Sequence, residues 1–550
     1  MCKARGGVRA WAVIAGVLVV LAGASGCGKS ETVQGGSATV AMSTPPDSLD
    51  PQLGYSTEAA EADWIAYTPL LTYRHKNGAD GAELIPGLAL RLPRISPEGQ
   101  RYRLALRKGL VYSNGRPVQA SDFEYAIERA LRLNWPGQHF ITNNVVGAEA
   151  YDEGQAKQIS GISTDDAHGK VSIKLVRPNG SFANVLALPA TAPVPSGTPM
   201  KDLTAAPPPG VGAYKIADVR PGRRWTMVKN PLFASLEIPD LPVGSLDRIA
   251  VRVEPDAHAA FDEVLHGRAD NFDPATPLPP GGMASARVNE LLHFELVPIP
   301  STLYFFMNTA EPPFSSELAR RAVVTALDRP AFERLGKGTV LPDCYLIPQG
   351  IAGHSSGGCP YGGADDEGDL DAARQLVGES GTAGSPVIVW VENSSPQRAY
   401  ARYYTKLLSQ LGFQARMAVA ASPREFGRTG KTSASPQTGF ASWFNDFPNP
   451  ADFYEVLDAD EIGRPGSPNA GFVNDLFIQQ QLAKLRLVTI QDLDTFSGEW
   501  RALDEYAAKK AYLAVIGSQQ VPKLMSARMD FDAAVVHPLF LSDWSTWLLH

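Results

Sequence analysis

The sequence is poor in cysteine and in long apolar stretches. Its 550 residues include four cysteines, two of which, Cys2 and Cys27, lie close to the N-terminus. No stretch after residue 21 is long and apolar enough to form a membrane-spanning helix. HExxH, P-loop and GxGxxG motifs are missing, as are internal repeats and heptads. The main body is therefore expected to be soluble and free of the signatures of metalloprotease or nucleotide chemistry.

Basic residues are outnumbered by acidic ones, and the net charge is −8. Without Lys3, Arg5 and Arg9 of the N-terminal segment, 47 basic residues face 58 acidic ones, a balance of −11. A nucleic-acid partner needs a basic surface to neutralise phosphates. The charge balance therefore argues against nucleic-acid binding.

The N-terminus has the organisation of an export signal. The three basic residues precede an apolar run over residues 11–21, and small residues 22–26 then lead to Cys27. This order resembles the bacterial lipoprotein signal, although Ala24 stands where leucine is usual. The resemblance implies a signal peptide over residues 1–26 and lipidation of Cys27. The alternative is an ordinary secretory signal followed by an incidental cysteine.

Two cysteines remain in the main body, Cys344 and Cys359, and they bracket a loop rich in Gly and Pro. In an exported chain such a pair predicts a disulfide. The rival interpretation is a two-cysteine metal site, which has only His354 nearby as a further ligand. We therefore expect a disulfide and no metal.

Several segments show the periodicity of regular structure. Tyr102, Leu104 and Leu106 alternate with arginines, which predicts a half-buried strand. Ser121 and Glu124 form a capping box ahead of a helix. Further helices and strands are predicted in chain order, namely a helix over residues 58–71, a strand over 387–391, a helix over 400–411 and a strand over 413–419. The last three form a βαβ unit with parallel strands.

One stretch carries the strongest chemical signal. Asp446 lies among the aromatic residues Trp443, Phe444 and Phe447, and Pro448 and Pro450 follow. Prolines this close exclude helix and central strand, so the segment should be a loop of fixed shape. A carboxylate beside aromatic faces is suited to binding a cationic group. A solvated turn is the alternative that these residues alone leave open.

The body of the chain resembles the peptide/nickel-type solute-binding proteins of ABC importers, the family 5 extracellular solute-binding proteins. Residues 84–89 (LIPGLA) and 102–123 (YRLALRKGLVYSNGRPVQASDF) are similar to the signature block of that family. Similar blocks recur in order at residues 210–214, 229–231, 305–309, 312–314, 320–323 and 327–329. Ala213 replaces a usual proline and Phe447 a usual tyrosine. The resemblance extends from about residue 39 to the C-terminus.

The resemblance implies an α/β fold of the class II periplasmic-binding-protein type, a two-lobed clamp with an extra inserted domain. It divides the chain into a tether at 27–37, lobe I at 38–73 with 208–296 and 515–550, lobe II at 74–207 as the insertion, and lobe III at 297–514. Asp446 matches the aspartate of the Trp-x-x-Asp motif, which pairs with the α-ammonium group of a peptide in peptide-binding members. Trp443 becomes a packing wall, and Phe444 and Phe447 are further candidate contacts.

The function implied is capture of di- or oligopeptides outside a bacterial membrane and delivery to the transmembrane subunits of an ABC permease. The protein is expected to be a lipid-anchored monomer without cofactor or enzymatic activity. Oligosaccharides and metal chelates are alternative ligands. An exported serine hydrolase is a distant alternative, because residues 353–357 match GxSxG around Ser355. A nucleophile elbow needs a strand before and a helix after the serine, and neither is predicted there.

Overall fold

The computed structural model describes residues 34–362, 367–420, 437–463 and 467–550. The predicted signal peptide, Cys27 and most of the tether lie outside these ranges. Among the described helices, none is both long and apolar enough to cross a membrane. The structural account below therefore concerns the main body alone.

The strands, in chain order, are β1 (Ser37–Met42), β2 (Leu71–Tyr73), β3 (Leu84–Pro86), β4 (Arg94–Ile95), β5 (Arg101–Ala105), β6 (Ile162–Asp165), β7 (Lys170–Lys174), β8 (Tyr214–Arg220), β9 (Arg224–Lys229), β10 (Arg248–Val253), β11 (Asn271–Phe272), β12 (Leu292–Met307), β13 (Val340–Leu341), β14 (Pro386–Val391), β15 (Gln414–Val419), β16 (Thr438–Phe444), β17 (Leu513–Ser526), β18 (Val535–His537) and β19 (Leu541–Asp543).

The α-helices are α1 (Thr57–Ala66), α2 (Gly78–Gly81), α3 (Ala120–Arg132), α4 (His139–Thr142), α5 (Ala148–Asp152), α6 (Phe182–Val185), α7 (Pro231–Ala234), α8 (Ala257–Leu265), α9 (Gly282–Val288), α10 (Glu317–Thr325), α11 (Arg329–Leu335), α12 (Leu370–Ser380), α13 (Ser395–Gln410), α14 (Pro450–Phe453), α15 (Leu476–Leu485) and α16 (Ser497–Lys509). Short 3₁₀ turns occur at Pro189–Thr191, Tyr454–Leu457, Ala459–Glu461 and Trp544–Thr546.

A continuous sheet runs through the molecule in the order β15-β14-β16-β12-β17-β11-β1-β10-β9-β8, with β13 paired to β17. Two long strands, β12 and β17, belong to both halves of it. Their antiparallel pairing runs from Leu292 opposite Ser526 to Ile299 opposite Gln519, and resumes at Leu303 opposite Gly517. The irregularity interrupts the ladder where the two halves of the sheet meet, and the stretch from Ile299 to Leu303 is called the hinge below.

The sequence predicted the second half of this sheet well. Strands β14 and β15 are parallel and joined by helix α13, which gives the expected βαβ unit. Hydrophobic cores cover both faces of this half, one around Phe305 and Tyr404 and the other around Tyr454 and Trp500. Helix α13 begins five residues before the prediction, with Pro396 in its first turn, where a missing N–H costs no hydrogen bond.

The inserted region and the first half of the large sheet share one hydrophobic core. Buried residues of that core come from β1 and α1, from α3 and the small β4-β5-β7-β6 sheet, and from the C-terminal segment around Trp544. Such a continuous core holds the two regions together as one body. The clamp therefore consists of this body and the half that carries β14, β15 and β16.

Two local predictions were wrong. Helix α1 ends at Ala66 rather than residue 71, because Leu71 pairs with Pro86 as strand β2. The capping box of α3 uses Gln119 and Asp122, not Ser121 and Glu124. Asp122 accepts from Tyr112 Oη and the Ser196 amide, and the Ser121 hydroxyl donates to Asp166 instead. In both cases, contacts made in the folded protein determined which of two local structures formed.

Candidate ligand site between the lobes

The predicted loop follows the end of strand β16. Phe444 is the last strand residue, and the chain turns through residues 445–449 into the short helix α14. Asn449 caps this helix by accepting a hydrogen bond from the Ala451 amide, and Pro450 occupies the first turn. Asn followed by Pro thus begins a helix here rather than only a turn. The predicted loop is thus limited to residues 445–449, because Phe444 still belongs to a central strand and Pro450 begins a helix.

Asp452 holds this loop in place from the protein interior. The sequence did not lead us to expect this role. The residue is fully buried, and its Oδ2 accepts hydrogen bonds from Trp443 Nε1 at 3.0 Å and from the Asp446 amide at 3.1 Å. Trp443 itself packs against the core around Tyr454. Asp452 therefore fixes both residues of the Trp-x-x-Asp motif. An acidic residue within an aromatic stretch was the feature of the sequence that could have indicated this role.

Asp446 reaches across to the other half of the clamp. Its Oδ1 accepts a hydrogen bond of 2.7 Å from the hydroxyl of Tyr55, which precedes helix α1. The Tyr55 ring meets the edge of Trp135 at 5.9 Å between ring centres, and Trp135 Nε1 donates to the Gly54 carbonyl. Tyr55 lies 391 residues from Asp446 in the chain, so no local pattern could have paired them.

Burial disfavours negative charge throughout this site. Desolvation raises the pKa of Asp446 to about 6, while the Tyr55 hydrogen bond opposes that rise. The Asp446 side chain keeps some accessible surface but is enclosed by protein atoms. The pKa of Asp452 is raised further by burial and by the neighbouring carboxylates, and that of Glu455 rises to about 8. A cation placed here would favour the ionised carboxylates.

The two halves of the clamp meet at two further contacts. Phe447 is 4% exposed and packs edge-on against Phe140 of α4, with 5.8 Å between ring centres. The Gly180 amide donates a hydrogen bond of 2.8 Å to the Arg486 carbonyl, just after α15. Together with the Tyr55–Asp446 bond, these contacts join the two halves, and this arrangement is called the closed form below.

Strand β16 offers a backbone edge beside this loop. It pairs with β12 along its length, but its pairing with β14 is limited to Thr438 and Gly439. Within the described part of the chain, residues 440–444 make no ladder on that side. Strands β14 and β16 are parallel, and their carboxyl ends form the usual place for a ligand in an open α/β sheet. Phe444 is half-buried and packs near Ile299 of the hinge.

The GxSxG segment has a different environment. Cys344 and Cys359 form a disulfide, with 5.8 Å between their Cα atoms, as predicted. Inside the loop that it closes, the Ser355 hydroxyl donates to Glu505, and His354 Nδ1 bonds the Ile347 carbonyl. Ser355 is therefore bonded to a carboxylate rather than to a histidine, and it lies between neither a strand nor a helix. These features do not make a nucleophile elbow.

The structure is a two-lobed α/β fold with buried and half-buried carboxyl groups of Asp446, Asp452 and Glu455 near the meeting of its halves. Residues 83–463 match the family described as "Bacterial extracellular solute-binding proteins, family 5 Middle". The chain belongs to this family, which confirms the family predicted from the sequence blocks.

Curated relatives include the "Glutathione-binding protein GsiB" of Escherichia coli O1:K1 / APEC, 27% identical over 370 residues, and that of Salmonella choleraesuis (strain SC-B67), 28% identical over 370 residues. Both alignments cover 64% of this chain and 66% of the relative. The matched region thus spans about two thirds of the relatives' length.

Solved structures share the fold across nearly the whole chain. "Clavulanic acid biosynthesis oligopeptide binding protein 2" aligns with a TM-score of 0.84 and 22% identity, covering 94% of this chain and 96% of that one. DppA from Helicobacter pylori in complex with the peptide STSA aligns with a TM-score of 0.74 and 19% identity, covering 94% and 98%. The two-lobed fold predicted from the sequence is confirmed.

Proposed function

We propose that this protein captures peptides with a free amino terminus between its lobes and delivers them, unchanged, to an ABC permease outside the cytoplasm. The observation that carries the proposal is Asp446, a carboxylate at the closure surface that no basic side chain of the described residues pairs with. A ligand ammonium group is the natural partner of such a carboxylate. The relatives named for glutathione and for oligopeptides bind ligands that carry an α-amine.

The same residues keep the roles that the motif suggests. Asp446 anchors the amine, while Trp443 forms a wall held by Asp452. Phe444 and Phe447 complete the aromatic surround. The free edge of β16 receives the extended backbone of the peptide by strand addition, which gives affinity without selecting side chains. Lobe closure then removes the charge pair from water and favours amines over neutral groups.

The lobe borders and the membrane anchor belong to this proposal too. The hinge at Ile299–Leu303 and Gly517–Gln519 supports borders near residues 297 and 515, with lobe II inserted at 74–207. We place the protein outside the membrane as a monomer, anchored through lipid on Cys27. Fractionation of an expressing bacterium tests the anchor, because a Cys27→Ser variant should move from the membrane to the soluble fraction.

The ligand class is tested by thermal shift of the purified protein. Trialanine, N-acetyl-trialanine, reduced glutathione, maltotriose and a nickel–histidine chelate are added separately. A ligand at one hundred times its Kd stabilises by about 2.7 kcal/mol, which gives a clear rise in Tm. We expect rises with trialanine or glutathione and none with the acetylated peptide.

Asp446→Asn should abolish those rises, whereas Asp494→Asn should not, because Asp494 lies exposed in the same lobe. Equal shifts for free and acetylated peptides would contradict the anchoring role. A shift with maltotriose or the chelate alone would replace peptides as the ligand class.

A further inference from the structure

The proposed amine site contains more negative groups than one ammonium needs. Asp446 and Asp452 are joined through the Asp446 amide at 3.1 Å, and Glu455 lies in the 3₁₀ turn that follows α14. Burial raises the pKa of all three carboxyl groups, and the charge of Asp446 also raises the pKa values of Asp452 and Glu455. From the opposite lobe, the Tyr55 hydroxyl donates a hydrogen bond to Asp446.

Basic partners for this group are lacking in the described chain. None of the three carboxylates forms an ion pair there, and Glu455 makes no side-chain hydrogen bond with described residues. Arg486 lowers the pKa of Glu455, but its guanidinium pairs with Asp458 at 2.6 Å. Adjacent acids without a base repel one another and destabilise the closed lobe arrangement.

A separate observation points to a missing partner. Asp452 is fully buried, and while its Oδ2 holds Trp443 and the Asp446 amide, its Oδ1 has no hydrogen-bond partner. A buried carboxylate oxygen without a partner is costly. Loop anchoring uses only one of the two oxygens, which leaves the second without a hydrogen-bond partner among the described residues.

We propose that the site selects ligands with a second cationic group next to the amine, such as peptides whose first residue is lysine or arginine. Asp446 takes the α-ammonium group, and Glu455 with the free oxygen of Asp452 takes the side-chain cation. This inference rests on the proposed function and narrows its substrate class. The three carboxyl groups all come from one short segment, residues 446–455. A first ligand residue that carries two cations a few ångströms apart would match this cluster.

Protonation gives this selection a measurable signature. The charged groups that act on Glu455 are Asp446, Asp458, Glu461 and the cation Arg486, and Glu455 in turn raises the pKa of Asp452 and of Tyr55. With a pKa of about 8 in the closed form, Glu455 is largely protonated at pH 7. A bound side-chain cation lowers that pKa, so Glu455 should release a proton on binding. The preference for the dication should therefore increase as pH rises from 6 to 8.

The experiment compares Lys-Ala-Ala with norleucine-Ala-Ala by isothermal titration calorimetry. The two peptides share the α-amine and a first side chain of four unbranched carbons, so their Kd ratio reports the ammonium group that only lysine adds. Titrations at pH 7 in phosphate and in Tris, which differ in ionisation enthalpy, count the protons released. We expect Lys-Ala-Ala to bind at least tenfold more tightly, with proton release only for that peptide.

Glu455→Gln should bring the Kd ratio to about one and abolish proton release, while norleucine-Ala-Ala still binds. Glu333→Gln, an exposed change in the same lobe, should leave the ratio unchanged. Equal affinities of the two peptides, or an equal gain from lysine at the third position (Ala-Ala-Lys), would overturn this inference while leaving peptide binding intact. Failure of all three peptides to bind would instead overturn the proposed function.

Discussion

Gly180 is the point at which closure of the clamp is most sensitive to a single added carbon. A Cβ at this position would lie 1.8 Å from the Val488 carbonyl oxygen and 2.3 Å from its carbonyl carbon. Because Cβ atoms essentially never approach heavy atoms within 3.0 Å, the two segments would have to separate by at least 1.2 Å. Gly180→Ala should therefore destabilise the closed form without changing a residue of the proposed ligand site.

Neither segment is free to yield. Asn179, next to Gly180, donates to Asn144 and accepts from the Ser181 hydroxyl, and its carbonyl holds the Tyr102 hydroxyl. On the other side, the obstructing atoms are backbone. The backbone conformation of Gly180 itself is open to alanine, since its φ is not positive. The effect is consequently steric and confined to the contact between the lobes.

The expected magnitude follows from the contact that is lost. Separation removes the 2.8 Å hydrogen bond from Gly180 to Arg486, worth about 0.5–1.5 kcal/mol. Affinity for trialanine should fall roughly two- to twelvefold, measured by calorimetry. Double electron–electron resonance measures the distance between two spin labels. With labels attached at Lys157→Cys and Lys484→Cys, it should show a smaller closed fraction.

Gly498→Ala is the matched control, because a Cβ at that position meets no atom within 4 Å. It should leave both the affinity and the label distances unchanged. An unchanged Kd together with an unchanged distance distribution in Gly180→Ala would refute the reasoning, since the clamp would then close without this contact.

Three further changes test the scaffold. Arg129→Met should destabilise by about 3–5 kcal/mol in urea unfolding, because Asp50, bonded twice at 2.6 Å, would stay buried without its cation. Replacing Cys344 and Cys359 together with serine should cost about 3 kcal/mol by the same assay, from the loop-closure entropy of the 15-residue separation. Burial raises the pKa of Glu58 to about 7 from 4.5, so its contribution to stability is full below pH 4.5 and lost as pH rises through 7. The decrease in Tm between pH 5 and pH 8 should be smaller in Glu58→Gln. A gain of stability in Arg129→Met, an unchanged unfolding midpoint in the serine double variant, or an equal pH slope in Glu58→Gln would each contradict its argument.

Periodicity and turn residues predicted the parts of this protein whose structure is decided locally. The β14-α13-β15 unit follows from alternating apolar runs and a helix of ordinary length. The fixed loop around Asp446 follows from Pro448 and Pro450, and the disulfide from two cysteines in an exported chain. In each case the residues that determine the structure lie within one short stretch of the chain.

Long-range partners decided the rest. Tyr55 meets Asp446 only because the lobes close, and Arg129 reaches Asp50 from 79 residues away. Gln119 rather than Ser121 caps α3 because Asp122 is also held by Tyr112 and Ser196. No pattern within a window of the chain contains this information. The three lobes predicted by resemblance also gave no indication that two of them share a core.

The closed form balances apolar attraction against acidic repulsion. Phe447 is almost fully buried against the opposite body, and burying a phenylalanine side chain stabilises by about 1.5–3 kcal/mol. With the Gly180 and Tyr55 hydrogen bonds, this contact favours closure before any ligand arrives. The desolvated carboxyl groups of Asp446 and its neighbours oppose closure. A cationic ligand removes only the opposing term, so its charge shifts the lobe equilibrium directly. A neutral ligand of the same shape leaves that cost in place, so closure over a cationic ligand is favoured over closure over a neutral one.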